Sequence, residues 1–202
     1  MIEEIFKVPL YGTKLELDNR GIIDYCNQYE SKNEGQVVSN RGGYQSFDLP
    51  LEEFILQPLI HELERHSNIL SNMFDMEGVQ RVSNIWFNIN RYKDYNDSHN
   101  HPNCAFSGVY YVSIPNKSGN TVFEHPLIDV MSFANYGLSF SQWNSYNSSI
   151  VWKKAADNLL FIFPSWLKHR VDPNYSSEDR ISIAFNKAFV VSLYRLLILR
   201  PP

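Results

Sequence analysis

Three histidines and one arginine hold the chemistry this chain can do. His99 and His101 stand at i and i+2 in an extended stretch, so both side chains leave one face. A third histidine, His169, follows Phe163-Pro164-Ser165-Trp166-Leu167-Lys168, and Arg180 comes eleven residues later at the head of the strand-like Arg180-Ile181-Ser182-Ile183-Ala184-Phe185. Neutral imidazole binds divalent first-row metals well, and a strand pair at this spacing can offer two nitrogens to one ion. An arginine on an apolar strand is costly to bury unless an anion meets it, and its planar fork suits a bidentate carboxylate. Ser182, on the same face, can add a hydrogen bond to that carboxylate. The residues therefore point to a metal site with an anionic co-substrate beside it. The plainer alternative is polar loop histidines and a surface ion pair between Arg180 and Glu178 or Asp179.

The other candidates carry less. His61 and His66 lie on a helical stretch five residues apart, on different faces, and read as solvent-exposed. His125, between Glu124 and Pro126, reads as a polar strand end with a second possible use facing substrate. Cys104 sits beside the histidine pair and reads as a small buried residue. With only Cys26 besides it, no disulfide scaffold is possible, and both thiols are expected to be reduced.

The elements that must position these groups follow from periodicity. Residues 2–11 read as a short extended segment, and Leu17 to Tyr29 as a helix that Asp18 can cap. Phe54, Ile55, Leu59, Leu63, Ile69 and Leu70 give Leu51 to Met76 the strongest helical pattern in the chain, with Pro58 as a possible break. From Val79 the period becomes strand-like. Val82, Ile85, Phe87 and Ile89 form one strand, and Tyr92 to Ser98 reads as a polar turn delivering His99. Further strands fall at Ala105–Ile114, Thr121–Glu124, Ile150–Lys153, Asn158–Phe163, Lys168–Val171 and Arg180–Phe185. Residues 127–150 have no firm period and read as an irregular insertion near the mouth of the fold. The tail from Ala188 to Leu199 reads as a strand closing the core, with a helix as the alternative. The pattern describes one α+β domain over 1–202, mainly helical over 1–78. Its body, 79–202, is a β-barrel or double-layered jelly roll with a pocket at its mouth.

Composition agrees with that class. The 202 residues are 44% hydrophobic and 14% aromatic, and rings suit pleated surfaces. A net charge of −4 disfavours nucleic acid and anionic membranes as partners. No uncharged apolar run reaches the ~18–20 residues of a membrane span, and Glu3 and Glu4 interrupt any signal-like segment. The expected location is cytoplasmic.

Taken together, several segments resemble the Fe(II)/2-oxoglutarate-dependent dioxygenase superfamily. They are the His-x-His-Pro before Ser107-Gly108-Val109-Tyr110-Tyr111, Asn120 to Pro126, Phe163-Pro164-Ser165-Trp166 with His169, and Arg180-Ile181-Ser182. The chain is most similar to a subgroup of 2-oxoglutarate-Fe(II) oxygenases with that His-x-His-Pro, a likeness that Gly42-Gly43-Tyr44-Gln45-Ser46 extends. The resemblance implies a double-stranded β-helix (a cupin-like jelly roll), Fe(II) as metal, 2-oxoglutarate as co-substrate, O2, and a small-molecule or peptide substrate. By position, His99 and His169 match the iron histidines, Arg180 with Ser182 the clamp for the distal carboxylate, and Tyr111 (more weakly Tyr95) a co-substrate contact. The superfamily's usual carboxylate ligand is replaced here by His101, so either three histidines hold the metal or Asp97 or Glu124 supplies the third ligand. A three-histidine cupin-type enzyme that does not use 2-oxoglutarate, and a non-catalytic metal-binding jelly roll, are the competing readings.

Overall fold

The computed structural model describes residues 1–189. From Gln80 onward, eight strands distribute themselves between two facing antiparallel sheets. They are β4 (Gln80–Asn90), β5 (Tyr95–His99), β6 (Phe106–Ser113), β7 (Thr121–Glu124), β8 (Ile150–Lys153), β9 (Leu159–Pro164), β10 (His169–Val171) and β11 (Arg180–Phe189). Before them come β1 (Tyr11–Lys14), helix α1 (Arg20–Glu30), β2 (Asn40–Arg41), β3 (Tyr44–Gln45), a 3-10 turn (Phe54–Leu56) and helix α2 (Gln57–Met73); helix α3 (Ile128–Ala134) lies between β7 and β8. The larger sheet has the order β1-β9-β6-β11-β4-β3 and the smaller β2-β5-β10-β7-β8. This is a double-stranded β-helix with α1 and α2 packed on the outside of the larger sheet, the α+β jelly roll expected.

The β4 strand explains the layering. Ile85, Phe87 and Ile89 project outward into the core shared with Leu56, Leu59, Leu63 and Leu70 of the helical region, all of them buried. Burying each such side chain contributes about 1.5–3 kcal/mol. Trp86, Asn88 and Asn90 alternate with them and face the interior between the sheets, so the strand is buried on both sides. A buried lysine fastens α2 to β11: Lys187 Nζ donates to Ser67 Oγ at 3.1 Å and Asn68 Oδ1 at 2.5 Å, with Glu64 at 3.6 Å.

The local differences from expectation have physical causes. Pro58 sits in the first turn of α2, where its missing N–H costs nothing, so one helix runs to Met73 unbroken. Asn19, not Asp18, stands at the start of α1. Its side chain does not cap the helix; it donates to Val112 O and Asn158 Oδ1 and accepts from Tyr110, tying the helix to β6. Asp18 instead pairs with Arg20 at 2.6 Å. His66 is buried, with Nδ1 2.7 Å from the Tyr11 hydroxyl, because β1 crosses that face of α2; His61 is exposed. Strand β5 begins within the stretch read as turn, and α3 forms within the stretch read as irregular. Of the tail, Ala188 and Phe189 complete β11, and the rest lies outside the described residues.

Candidate metal and co-substrate site

Cross-strand register brings the distant histidines together. His169 on β10 lies directly opposite His99 on β5, and their rings are 4.4 Å apart between centroids. His101 follows in the loop, its backbone N–H donating to Ser165 O at 2.9 Å, and its Nε2 lies 3.4 Å from His169 Nε2. One ligand nitrogen from each of the three imidazoles falls within 4.8 Å of the others. Two cis ligands about 2.1 Å from one ion stand about 3 Å apart, so this spacing fits a shared metal. The outer nitrogens are already committed. His99 Nδ1–H donates to Asp97 O at 2.7 Å and His169 Nδ1–H to Leu167 O at 2.9 Å, which leaves each Nε2 lone pair facing the cluster.

A single turn, Pro164 to Leu167, supports two of the three histidines through its backbone carbonyls. It is anchored by buried hydroxyls: Ser165 Oγ is 2.8 Å from Ser107 Oγ, which donates to Asn186 Oδ1 at 2.7 Å. Since Ser107 has one proton, Ser165 is the donor to Ser107.

Burial holds all three imidazoles below their ordinary pKa. Burial pushes His101 down to about 4, with His99 adding to the effect, and drives His169 well below 6.5; it lowers His99 too, against the opposing hydrogen bond to Asp97 O. Neutral imidazoles are what a divalent cation needs. The same shifts set an acid limit on the metal-free protein. Each folded-state pKa lies below its unfolded value, so the stabilisation is complete above about pH 6.5 and is lost as pH falls toward the folded values. For His101 alone the loss between about pH 6.5 and pH 5 is about 2 kcal/mol. Urea unfolding of metal-free protein at about pH 7 and pH 5 is expected to show a lower midpoint at the acid value, with a smaller drop in His101→Gln. Equal drops in the two proteins would refute the assignment.

Neither alternative carboxylate joins the cluster. Asp97 shares its parity with His99 on paper, but a bulge in β5 sets Asn96 opposite Val171 and His99 opposite His169, three residues against two. Asn96 therefore turns inward, and Asp97 pairs with Arg41 Nε at 2.7 Å. Glu124 pairs with Arg170 at 3.3 Å.

Arg180 is the second feature of the interior. It is 1% exposed, pairs in register with Asn90, and has no ion pair among the described residues; Glu178 and Asp179 do not reach it, Asp179 facing Arg91 instead. Nη1 donates to Ser182 Oγ at 3.3 Å and Asn90 Oδ1 at 3.5 Å, and the guanidinium lies over the Tyr111 ring at 5.3 Å. Among the described residues, Nε and Nη2, which together form one edge of the fork, have no hydrogen-bond partner. Two unpaired donors on a fully buried cation match the two oxygens of a carboxylate in number and in charge. Burial also lowers the Arg180 pKa, a cost that an arriving anion relieves. Tyr111, buried and 2.5 Å from Thr121 Oγ1, forms the wall beside it, and burial raises its phenol pKa.

The cavity between the histidines and β4 is also lined by Ser39, Trp86, Asn88 and Asn96, which sequence reasoning did not single out. Asn88 Oδ1 accepts from Asn40 at 3.2 Å and Asn96 at 3.3 Å, and Asn96 Oδ1 accepts from Asn90 at 3.2 Å. The signal was the Trp86-x-Asn88-x-Asn90 alternation, a polar face on a strand that is buried on both sides. Tyr95 is 39% exposed and does not line the cavity.

A sequence-family profile described as "Putative 2OG-Fe(II) oxygenase" matches residues 84–186, from the inward face of β4 to β11. The chain belongs to this family. No curated protein matches it in sequence. Among solved structures, a Pseudomonas putida prolyl-4-hydroxylase is similar at 11% identity over 90% of this chain and 93% of that one, with a TM-score of 0.64. A viral collagen prolyl hydroxylase from Paramecium bursaria Chlorella virus-1, solved with 2-oxoglutarate, is 11% identical over 90% and 96%, TM-score 0.61. HygX from Streptomyces hygroscopicus, solved with nickel and 2-oxoglutarate, is 10% identical over 91% and 84%, TM-score 0.59. At these identities the likeness is one of fold. No helix among the described residues of this family member is long and apolar enough to cross a membrane.

Proposed function

We propose that His99, His101 and His169 hold Fe(II), and that Arg180, with Ser182 and Tyr111, receives the distal carboxylate of 2-oxoglutarate. The protein then acts as a 2-oxoglutarate-dependent oxygenase on a small molecule or peptide, within one domain spanning the chain and in a cytoplasmic setting that keeps Cys26 and Cys104 as free thiols. The observation that carries this reading is the orphaned Nε/Nη2 edge of Arg180, buried in the same interior as three convergent imidazoles. Bound iron and co-substrate supply oxidative decarboxylation of the 2-oxo acid coupled to oxygenation of a C–H bond.

The chain's own groups do the rest. The carbonyls of Asp97 and Leu167 keep His99 and His169 in the tautomer that presents Nε2. Ser182 and Asn90 hold Nη1, so that the other edge of the guanidinium stays aimed at the ligand. Phe163, 4.6 Å from His169 between ring centroids, screens the site from water.

Anaerobic titration of the purified protein with Fe(II) and then 2-oxoglutarate tests the reading. A visible charge-transfer band of a chelated 2-oxo acid is expected, absent in His169→Ala. Stoichiometric iron with no band would favour a three-histidine metalloenzyme that does not use 2-oxoglutarate.

A further inference from the structure

A second cavity lies outside the imidazole cluster. It measures about 820 Å3, in the ~300–1,000 Å3 range of ligand sites, and runs between the segment before β1 and the β7–β8 edge. Most of its wall is apolar, including Phe6, Val8, Leu10, Ile150 and Val151. Its floor is Phe123 and Leu167, both buried. Phe123 packs on Phe163 at 5.0 Å and lies 6.1 Å from the His169 ring, so the floor of this cavity adjoins the proposed iron ligands.

Among the described residues Lys153, on its wall, has no ion-pair partner. Lys153 is half-buried and pairs across strands with Thr121, which puts both side chains on the inward face. Thr121 is the residue bonded to Tyr111 beside Arg180. Of the acids that share the cavity, Glu4 is engaged with Lys7 at 3.0 Å and Tyr146 at 2.7 Å and Glu124 with Arg170, while Glu3 is exposed in the segment before β1 and forms no ion pair with Lys153. His125 also lines the wall, with Nδ1 accepting from Leu127 N at 3.0 Å. Among the described residues no carboxylate lies within ion-pair distance of Lys153.

We infer that the outer cavity binds the primary substrate, and that this substrate has an extended apolar body and one anionic group seated on Lys153. The substrate assignment rests on the oxygenase reading; the binding site does not. The test uses the full chain with Fe(II) and 2-oxoglutarate under anaerobic conditions. The probes are the fluorescent anion 8-anilinonaphthalene-1-sulfonate and its uncharged relative N-phenyl-1-naphthylamine. The anion is expected to bind and to perturb the charge-transfer band, and Lys153→Met to weaken it about tenfold, while Lys153→Arg retains it and the neutral probe is unaffected by either change. Equal affinity of the anion for wild type and Lys153→Met, or no binding, overturns the anionic anchor. Lys153-dependent binding that leaves the band unmoved overturns the substrate assignment. Lys153-dependent binding in a protein that forms no band leaves the cavity standing and refutes the oxygenase reading instead.

Discussion

Arg180→Met is expected to abolish 2-oxoglutarate binding at ordinary concentrations while making the metal-free protein more stable. The first half follows from geometry. The Nε/Nη2 edge is fully buried and unpartnered, so a carboxylate arriving there makes two charge-assisted bonds in a dry setting. Removing one partner of such a pair costs about 2–5 kcal/mol, at least about 30-fold in Kd. Iron binding should persist, because the three imidazoles draw their support from Asp97, Leu167 and Ser165 rather than from Arg180. The second half follows from the same orphaned donors. A buried cation with no counterion destabilises the fold until its ligand arrives, and an apolar side chain of similar length removes that cost. Each kcal/mol recovered raises Tm by about 2–4 °C in a domain of this size. Calorimetry of the metal-free proteins, with 2-oxoglutarate titrations of the iron-loaded forms, reads both effects. Unchanged affinity in Arg180→Met would remove the central argument for the co-substrate site.

That residue also marks how far the sequence could be read. Arg180 on an apolar strand was legible as a group in need of an anion, because its cost of burial depends on residue type and strand pattern alone. The His99–His101–His169 constellation was legible for a similar reason, since i, i+2 spacing and a later strand suffice to suggest convergence. The parity of Asp97 was not. A bulge is a tertiary adjustment between β5 and β10, and it reverses which residues face inward without leaving a mark in the local pattern. The asparagines of β4 were missed because alternation of apolar and polar residues ordinarily means one solvated face. Here a second sheet covers the polar face, which only the pairing of distant strands reveals. His66 was misjudged for another reason: it stands three residues after Leu63 and four before Leu70, on the buried stripe of its own helix, and β1 crosses that face. The helical region and most strands were recoverable because their periods are local properties.

Among the described residues no carboxylate joins the imidazole cluster, and the other large expected effect follows from that. His101→Ala should lower iron affinity by more than the roughly 10–100-fold typical of losing an outer hydrogen-bond partner, whereas Asp97→Asn and Glu124→Gln should change it little. The two acids already serve Arg41 and Arg170, and bringing either to the metal would break those pairs and, for Asp97, undo the β5 bulge. Three neutral ligands leave the metal with more positive charge than two histidines and a carboxylate would. That charge favours an anionic co-substrate, so the preference for 2-oxoglutarate over its neutral diester should be large. His101→Asp provides the complementary measurement: a carboxylate at that position restores the two-histidine, one-carboxylate set with open positions. It is expected to retain iron, to bind 2-oxoglutarate more weakly than wild type, and to shift the charge-transfer band. If His101→Ala binds iron as well as wild type while Asp97→Asn or Glu124→Gln does not, the third ligand is a carboxylate and the bulge must rearrange when the metal binds.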